Sequence, residues 1–242
     1  MIIVRDPQSI YQADGEIRNG SFHGRRHFSF DQYHDPEYLQ FGTLHVFNDD
    51  TLTPGAIWPL HPHRDIEVVT YCAEGEFRHE DEHGKGRILK KGWVQHTTVG
   101  SGMWHSEINN RPDIPMRFIQ MWFLPFQRGL KPSVQQEKVE KRDRTDRFFP
   151  LVSNDHPDTL PLFSEATVYC SFIQTGKTLS FRPRAGRGIY LSVLEGGPIT
   201  VNNHLIPALG AAKITHEKEI AVHAEKDAEI LLIDVLLVLR KA

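Results

Sequence analysis

The sequence predicts an all-β protein built as two β-rich halves with few, short helices. Three observations carry this. Short segments rich in Val, Ile, Phe, Tyr and Leu recur along all 242 residues, turn-forming residues separate them, and helical periodicity is weak throughout. Many short strands punctuated by Gly and Pro close most readily into sandwiches or barrels.

In chain order, the first half is expected to form strands at 41–48, 67–73, 77–80 and 117–124, and the second at 167–173, 188–194, Ile199–Val201 and 230–237. Turns are expected at Asn48-Asp49-Asp50, Thr53-Pro54-Gly55, His83-Gly84-Lys85-Gly86, Glu195-Gly196-Gly197 and Asn202-Asn203. Helix is expected only at 35–39 and around 134–139. The heavily charged run 131–147 and the Pro- and Asp-rich stretch after it read as a solvated linker. The expected division is therefore an N-terminal domain over 1–130, a linker over 131–160 and a C-terminal domain over 161–242. A short internal match suggests that the halves are copies. Each has a hydrophobic strand ending in Glu-Gly, at Glu74-Gly75 and at Glu195-Gly196.

Composition narrows the function. With 28 basic against 31 acidic residues the net charge is −3, so no cationic surplus is available for phosphate contacts. Direct binding of nucleic acid or of an anionic membrane is not expected. Cys72 and Cys170 are isolated among apolar neighbours, which argues against a disulfide or a thiolate zinc site. Charges at Arg5 and Asp6 disfavour a signal peptide, and the apolar run 230–239 is too short for a bilayer and broken by Asp234. A cytoplasmic protein is expected. The surplus is in histidine, with 14 residues, and spacing decides whether that surplus means metal.

Two segments have that spacing. In Gly55-Ala56-Ile57-Trp58-Pro59-Leu60-His61-Pro62-His63 the histidines are two apart, so a strand points both imidazoles to one face. In Gly100-Ser101-Gly102-Met103-Trp104-His105-Ser106-Glu107 the same spacing pairs His105 with Glu107. Three imidazole nitrogens and one carboxylate suit Fe(II), Mn(II), Ni(II), Co(II), Cu(II) or Zn(II) and leave coordination positions open. Trp58, Met103 and Trp104 flank these strands and are candidate apolar walls. By contrast His79-Glu80-Asp81-Glu82-His83 reads as a solvated hairpin tip, and His23, His27 and His34 as surface or packing residues. His204, His216 and His223 are isolated.

These segments resemble the cupin motifs: Gly55-x5-His61-x-His63 the start of the first, Gly102-x2-His105-x3-Asn109 the end of the second. More narrowly the chain resembles the pirin family and its pirin-like quercetinases. The resemblance rests on His27-Phe28-Ser29-Phe30, Asp35-Pro36, Val46-Phe47-Asn48-Asp49-Asp50, His61-Pro62-His63, His105-Ser106-Glu107, Gln120-x-Trp122 and Leu232-Ile233-Asp234. It implies two tandem jelly-roll barrels (a bicupin) with metal in the first only. Most metal cupins take a carboxylate five residues after the second histidine, where this chain has Val68, with Glu67 one residue early. A one-residue shift turns a strand side chain to the other face, so Glu67 is not expected to ligate. The family pattern implies His61, His63, His105 and Glu107 as ligands, with Fe(II) foremost.

The resemblance implies two functions. One is a dioxygenase that opens a flavonol-type ring with O2 and releases carbon monoxide, Glu107 taking the substrate proton. The other is an iron-dependent regulatory protein that recognises a protein partner.

Overall fold

The computed structural model describes residues 1–84 and 86–237. Lys85 of the expected 83–86 turn, and the expected second domain and apolar run beyond residue 237, thus lie outside the described residues. The protein is an all-β bicupin, and each half pairs a seven-stranded sheet with a four-stranded one.

In the first half the large sheet runs, edge to edge, Ser133–Glu137, Val94–Thr98, Glu67–Glu74, Met116–Phe123, Leu44–Leu52, Gly20–Arg26 and Tyr11–Ile17. The small sheet runs Ile57–His63, Met103–Asn109, Glu76–Asp81 and Gly86–Lys90. The second half repeats the plan. Its large sheet is Ile2–Arg5, Ala211–Thr215, Arg187–Gly196, Ala228–Leu236, Ala166–Ile173, Phe149–Ser153 and Leu160–Pro161, and its small sheet is Thr178–Phe181, Ile220–Ala224, Ile199–Val201 and His204–Ile206.

The side-chain period of two explains how these layers stack. Along Met116–Phe123, residues Ile119, Met121 and Phe123 join a core shared with Tyr190, Leu231 and Ile233 of the other half. Met116 and Phe118 instead point into their own barrel, against Leu52, Phe77 and Leu89. The same alternation runs through Ala228–Leu236, where Leu231, Ile233 and Val235 face the shared core and Ile230 and Leu232 fill the second barrel. The central strands of the large sheets, such as Glu67–Glu74 and Ala228–Leu236, are therefore buried on both faces, which is why they read as nearly continuous apolar runs. Each fully buried aliphatic or aromatic side chain contributes roughly 1.5–3 kcal/mol relative to exposure.

Strands overlap all eight predicted segments, with ends shifted by up to four residues. Helix falls partly in other places than expected, and includes a 3-10 turn at Pro7–Ser9. At 35–39 there is one 3-10 turn, Pro36–Tyr38, whose Glu37 amide donates to the Asp35 side chain at 2.9 Å. The expected helix at 134–139 is instead the edge strand Ser133–Glu137, paired with Val94–Thr98, and the helix is the single turn Lys141–Arg144. The span 131–160 is likewise not a free linker. It gives Ser133–Glu137 to the first half's sheet and Phe149–Ser153 and Leu160–Pro161 to the second's. Its charges are partly structural, since Arg144 is buried and pairs with Glu229 at 3.3 Å. At the other end, Ile2–Arg5 joins the far half by pairing with Ala211–Thr215. No helix among the described residues is long and apolar enough to cross a membrane.

Candidate metal centre

The two motif strands are antiparallel neighbours in the first small sheet. His105 stands opposite His61 and Met103 opposite His63, so spacing within each strand and pairing between strands converge on one spot. The register then slips: Glu107 pairs with Trp58 rather than with residue 59. One extra residue in the Pro59-Leu60 stretch forms a bulge. Trp58 and His61 are three apart and would face opposite ways in a regular strand, yet Trp58 lines the same cavity as His61 and His63.

Among the described residues, the donor atoms of His61, His63 and His105 lie within 4.8 Å of one another. Their hydrogen bonds leave lone pairs for a cation. The His61 Nδ1–H donates to the Pro59 carbonyl at 2.8 Å, since that oxygen can only accept, so Nε2 carries the lone pair. His105 Nδ1 lies 2.9 Å from Nε2 of His79, and His105 Nε2 is buried with no hydrogen-bond partner. An orphaned buried nitrogen is costly unless something binds it. Three converging imidazoles, one with an unpartnered nitrogen, fit a divalent metal.

Burial favours the neutral form of His63 and His105, the form that ligation requires. It lowers His63 to about 4, with the His61 charge adding to the effect. It lowers His105 to about 2, helped by His79, His61 and His63.

Glu107 is not part of the tight donor group, but it lines the same cavity. Its position is fixed by a relay. The Trp122 indole N–H can only donate and does so to Gln120 Oε1 at 2.8 Å, which turns the Gln120 amide N–H toward Glu107 Oε1. Burial pushes the Glu107 carboxyl up to about 8, while the Gln120 bond opposes the shift and the nearby Asp50 reinforces it. A divalent cation close by would favour its ionised form. The cavity has a volume of about 390 Å³. Phe30, Trp58 and Trp122 supply aromatic walls, and Arg26, paired with Asp50 at 2.5 Å, supplies a charged one. Gly24 makes room for that pair, because a Cβ there would lie 2.3 Å from Asp50 Oδ1.

Of the other candidates, Glu67 faces the second half. Its Oε2 accepts from His96 at 2.6 Å, from the Thr98 hydroxyl and from the Phe163 amide, and Glu67 does not line the cavity of His61 and His63. Trp104 is 47% exposed and forms no wall, and Met103 lines a different cavity. His27 is no surface residue: it is buried between the halves, with Nδ1 2.7 Å from the Tyr190 hydroxyl. His79 overturns the expectation of a solvated tip. It is 3% exposed, inside the strand Glu76–Asp81 and opposite Glu107, while the turn comes later, at 82–84. Spacing did hold a signal, since His79 and Asp81 are two apart on a strand, but only the pairing with Met103–Asn109 brings His79 against His105.

Residues 10–123 match the Pirin family and residues 151–235 the quercetinase C-terminal cupin domain. A pirin-like protein of Caulobacter vibrioides is 36% identical over 223 residues, 91% of this chain and 95% of that one. A quercetin 2,3-dioxygenase of Escherichia coli K12 is 28% identical over 221 residues, 91% and 94% of the two chains. The crystal structure of the bacterial pirin YhhW from Escherichia coli in complex with nickel(II) superposes with a TM-score of 0.89 at 28% identity, covering 98% of this chain and all of that one. Two matched domains in the order pirin then quercetinase-type cupin, together with a relative above the 30% level along nearly the full length, make this chain a member of the pirin family.

Proposed function

We propose that the chain is a metal-dependent dioxygenase of the quercetin 2,3-dioxygenase type, which opens a flavonol-type ring with O2 and releases carbon monoxide. His61, His63 and His105 hold one divalent ion, Fe(II) foremost, with Glu107 as the fourth ligand and proton acceptor. Mn, Ni, Co, Cu and Zn suit the same donors. The observation that supports this reading is the convergence of three imidazoles, two of which, His61 and His63, line a cavity walled by Phe30, Trp58 and Trp122.

When bound, the ion supplies Lewis acidity toward the acidic hydroxyl of the substrate. The remaining work falls to side chains. The aromatic walls hold a flat polyphenol in one plane, where offset and edge contacts favour aromatic partners. Gln120 occupies Oε1 of Glu107, which leaves Oε2 to take the hydroxyl proton. Burial raises Glu107 and a bound cation would favour its ionised form, which is the form able to accept a proton.

The test is aerobic turnover of quercetin by iron-loaded protein, followed by loss of flavonol absorbance and by carbon monoxide release. A flavone without the 3-hydroxyl should not be consumed. Equal consumption of quercetin by the parent protein and by His61→Ala would refute the assignment.

A further inference from the structure

Two of the three clustered histidines have their second ring nitrogen engaged, and by different kinds of partner. His61 Nδ1 meets a backbone carbonyl, which can only accept. His105 Nδ1 meets Nε2 of another imidazole at 2.9 Å, and an imidazole nitrogen can accept or donate. The two choices are not equivalent. If His79 accepts, His105 carries its proton on Nδ1, and its unpartnered Nε2 keeps a lone pair for the ion. If His79 donates, the His105 proton sits on Nε2, and the centre loses one of its three donors.

We propose that His79 is a positioning residue for the metal centre: its Nε2 accepts the Nδ1–H of His105 and so fixes Nε2 of His105 as the nitrogen presented to the ion. The inference rests on His105 being a ligand. Three observations converge on it. The unpartnered buried nitrogen of His105 is Nε2, the one left over when Nδ1 is used by His79. The two rings are locked together, with centroids 4.9 Å apart and planes at 60°. The strand pairing that seats His79 opposite Glu107 also seats Asp81 opposite His105, so register rather than a flexible loop holds the ring in place. Metal-bound histidines ordinarily pass their second N–H to a carboxylate, carbonyl or water, and here a buried imidazole fills that role.

His79 can be altered without touching the substrate side. It lines a separate cavity of about 380 Å³ with Asp81, Arg87 and Met103, and none of these residues lines the aromatic-walled cavity. His79→Gln retains an acceptor oxygen, whereas His79→Leu removes it. Ni(II) is the probe, its affinity read by competition with a chromophoric chelator, with folding checked by circular dichroism. His79→Leu should bind Ni(II) roughly 10–100-fold more weakly, the usual cost of losing such an outer partner, and His79→Gln should stay within about threefold of the parent. The EPR spectrum of Cu(II)-loaded protein, which reports the donor set, should change in the Leu variant and not in the Gln variant. If His79→Leu fails to fold, His79→Asn replaces it, since its amide is too short to reach and should lose affinity where Gln does not.

Unchanged affinity in the variant without an acceptor, or equal losses in both, overturns the proposal. His105→Ala separates the two levels. Loss of Ni(II) there, with none in His79→Leu, removes the role of His79 alone. Retention of Ni(II) in His105→Ala removes the metal assignment and this inference together.

Discussion

The two four-stranded sheets have the same strand order but opposite interiors. In the first, Ile57–His63 and Met103–Asn109 pair so that His61 meets His105. In the second, Thr178–Phe181 and Ile220–Ala224 pair so that Phe181 meets Ile220 and Leu179 meets Val222. The first barrel packs a small apolar cluster around Leu52, Ala56, Cys72, Phe77, Leu89, Met116 and Phe118, and its cavity is lined by His61, His63, Glu107 and Gln120. The second fills its interior with Ile189, Leu191, Val193, Ile214, Ile220, Val222, Ile230 and Leu232. Its one histidine on these two strands, His223, bonds the Thr178 hydroxyl at 2.9 Å and joins no cluster of potential metal donors among the described residues. One fold therefore gives a polar, cavity-bearing mouth or a closed aliphatic core, according to which residues occupy the inward positions of two strands. The closed barrel serves stability. The open one leaves buried polar atoms unpaired where a cation could bind them.

This contrast can be broken by exchanging effects between the barrels. The largest stability loss is expected in the closed one. Ile220→Ala should cost about 2–5 kcal/mol of unfolding free energy, because the cavity it leaves is lined on all sides, and metal stoichiometry should not change. Chemical denaturation alongside elemental analysis checks both halves of that statement.

A smaller effect, shared between barrels, comes from pH. Burial lowers His27, at the seam, to about 3, with Asp49 opposing the shift and Arg5 adding to it. The unfolded chain binds this proton near pH 6.5 and the folded chain only near pH 3, so the unfolded state holds more protons between these values. Stability from the neutral ring is thus complete above about pH 6.5 and is lost as pH falls toward 3. Metal-free protein should show a falling Tm across that window, and His27→Gln, which titrates nowhere, should flatten the slope. A Tm that rises as pH falls would contradict the burial of a neutral imidazole there.

Much of this arrangement was legible in the sequence because strand geometry is local. The spacing of His61 and His63, and of His105 and Glu107, fixes each pair on one face, and the parity of Glu67 places it on the opposite one. What was not legible depends on partners distant in sequence. The burial of His79 comes from a strand about 26 residues away, and charge at its neighbours Glu80 and Asp81 masked it. The bulge that turns Trp58 inward shows only in the register against Met103–Asn109. The charged stretch around Arg144 reads as solvated until Glu229, 85 residues on, is seen to face it. Ile2–Arg5 carries no mark that it belongs to the far sheet.

Metal binding is assigned to the first barrel alone and to its three histidines. Elemental analysis of protein purified without chelator and reconstituted with Fe(II) or Ni(II) tests it directly, comparing the parent with His105→Ala and His223→Ala. Close to one metal per chain is expected for the parent and for His223→Ala, and near none for His105→Ala with its β-sheet circular dichroism intact. A ratio near two in the parent, or an unchanged ratio in His105→Ala, would contradict it.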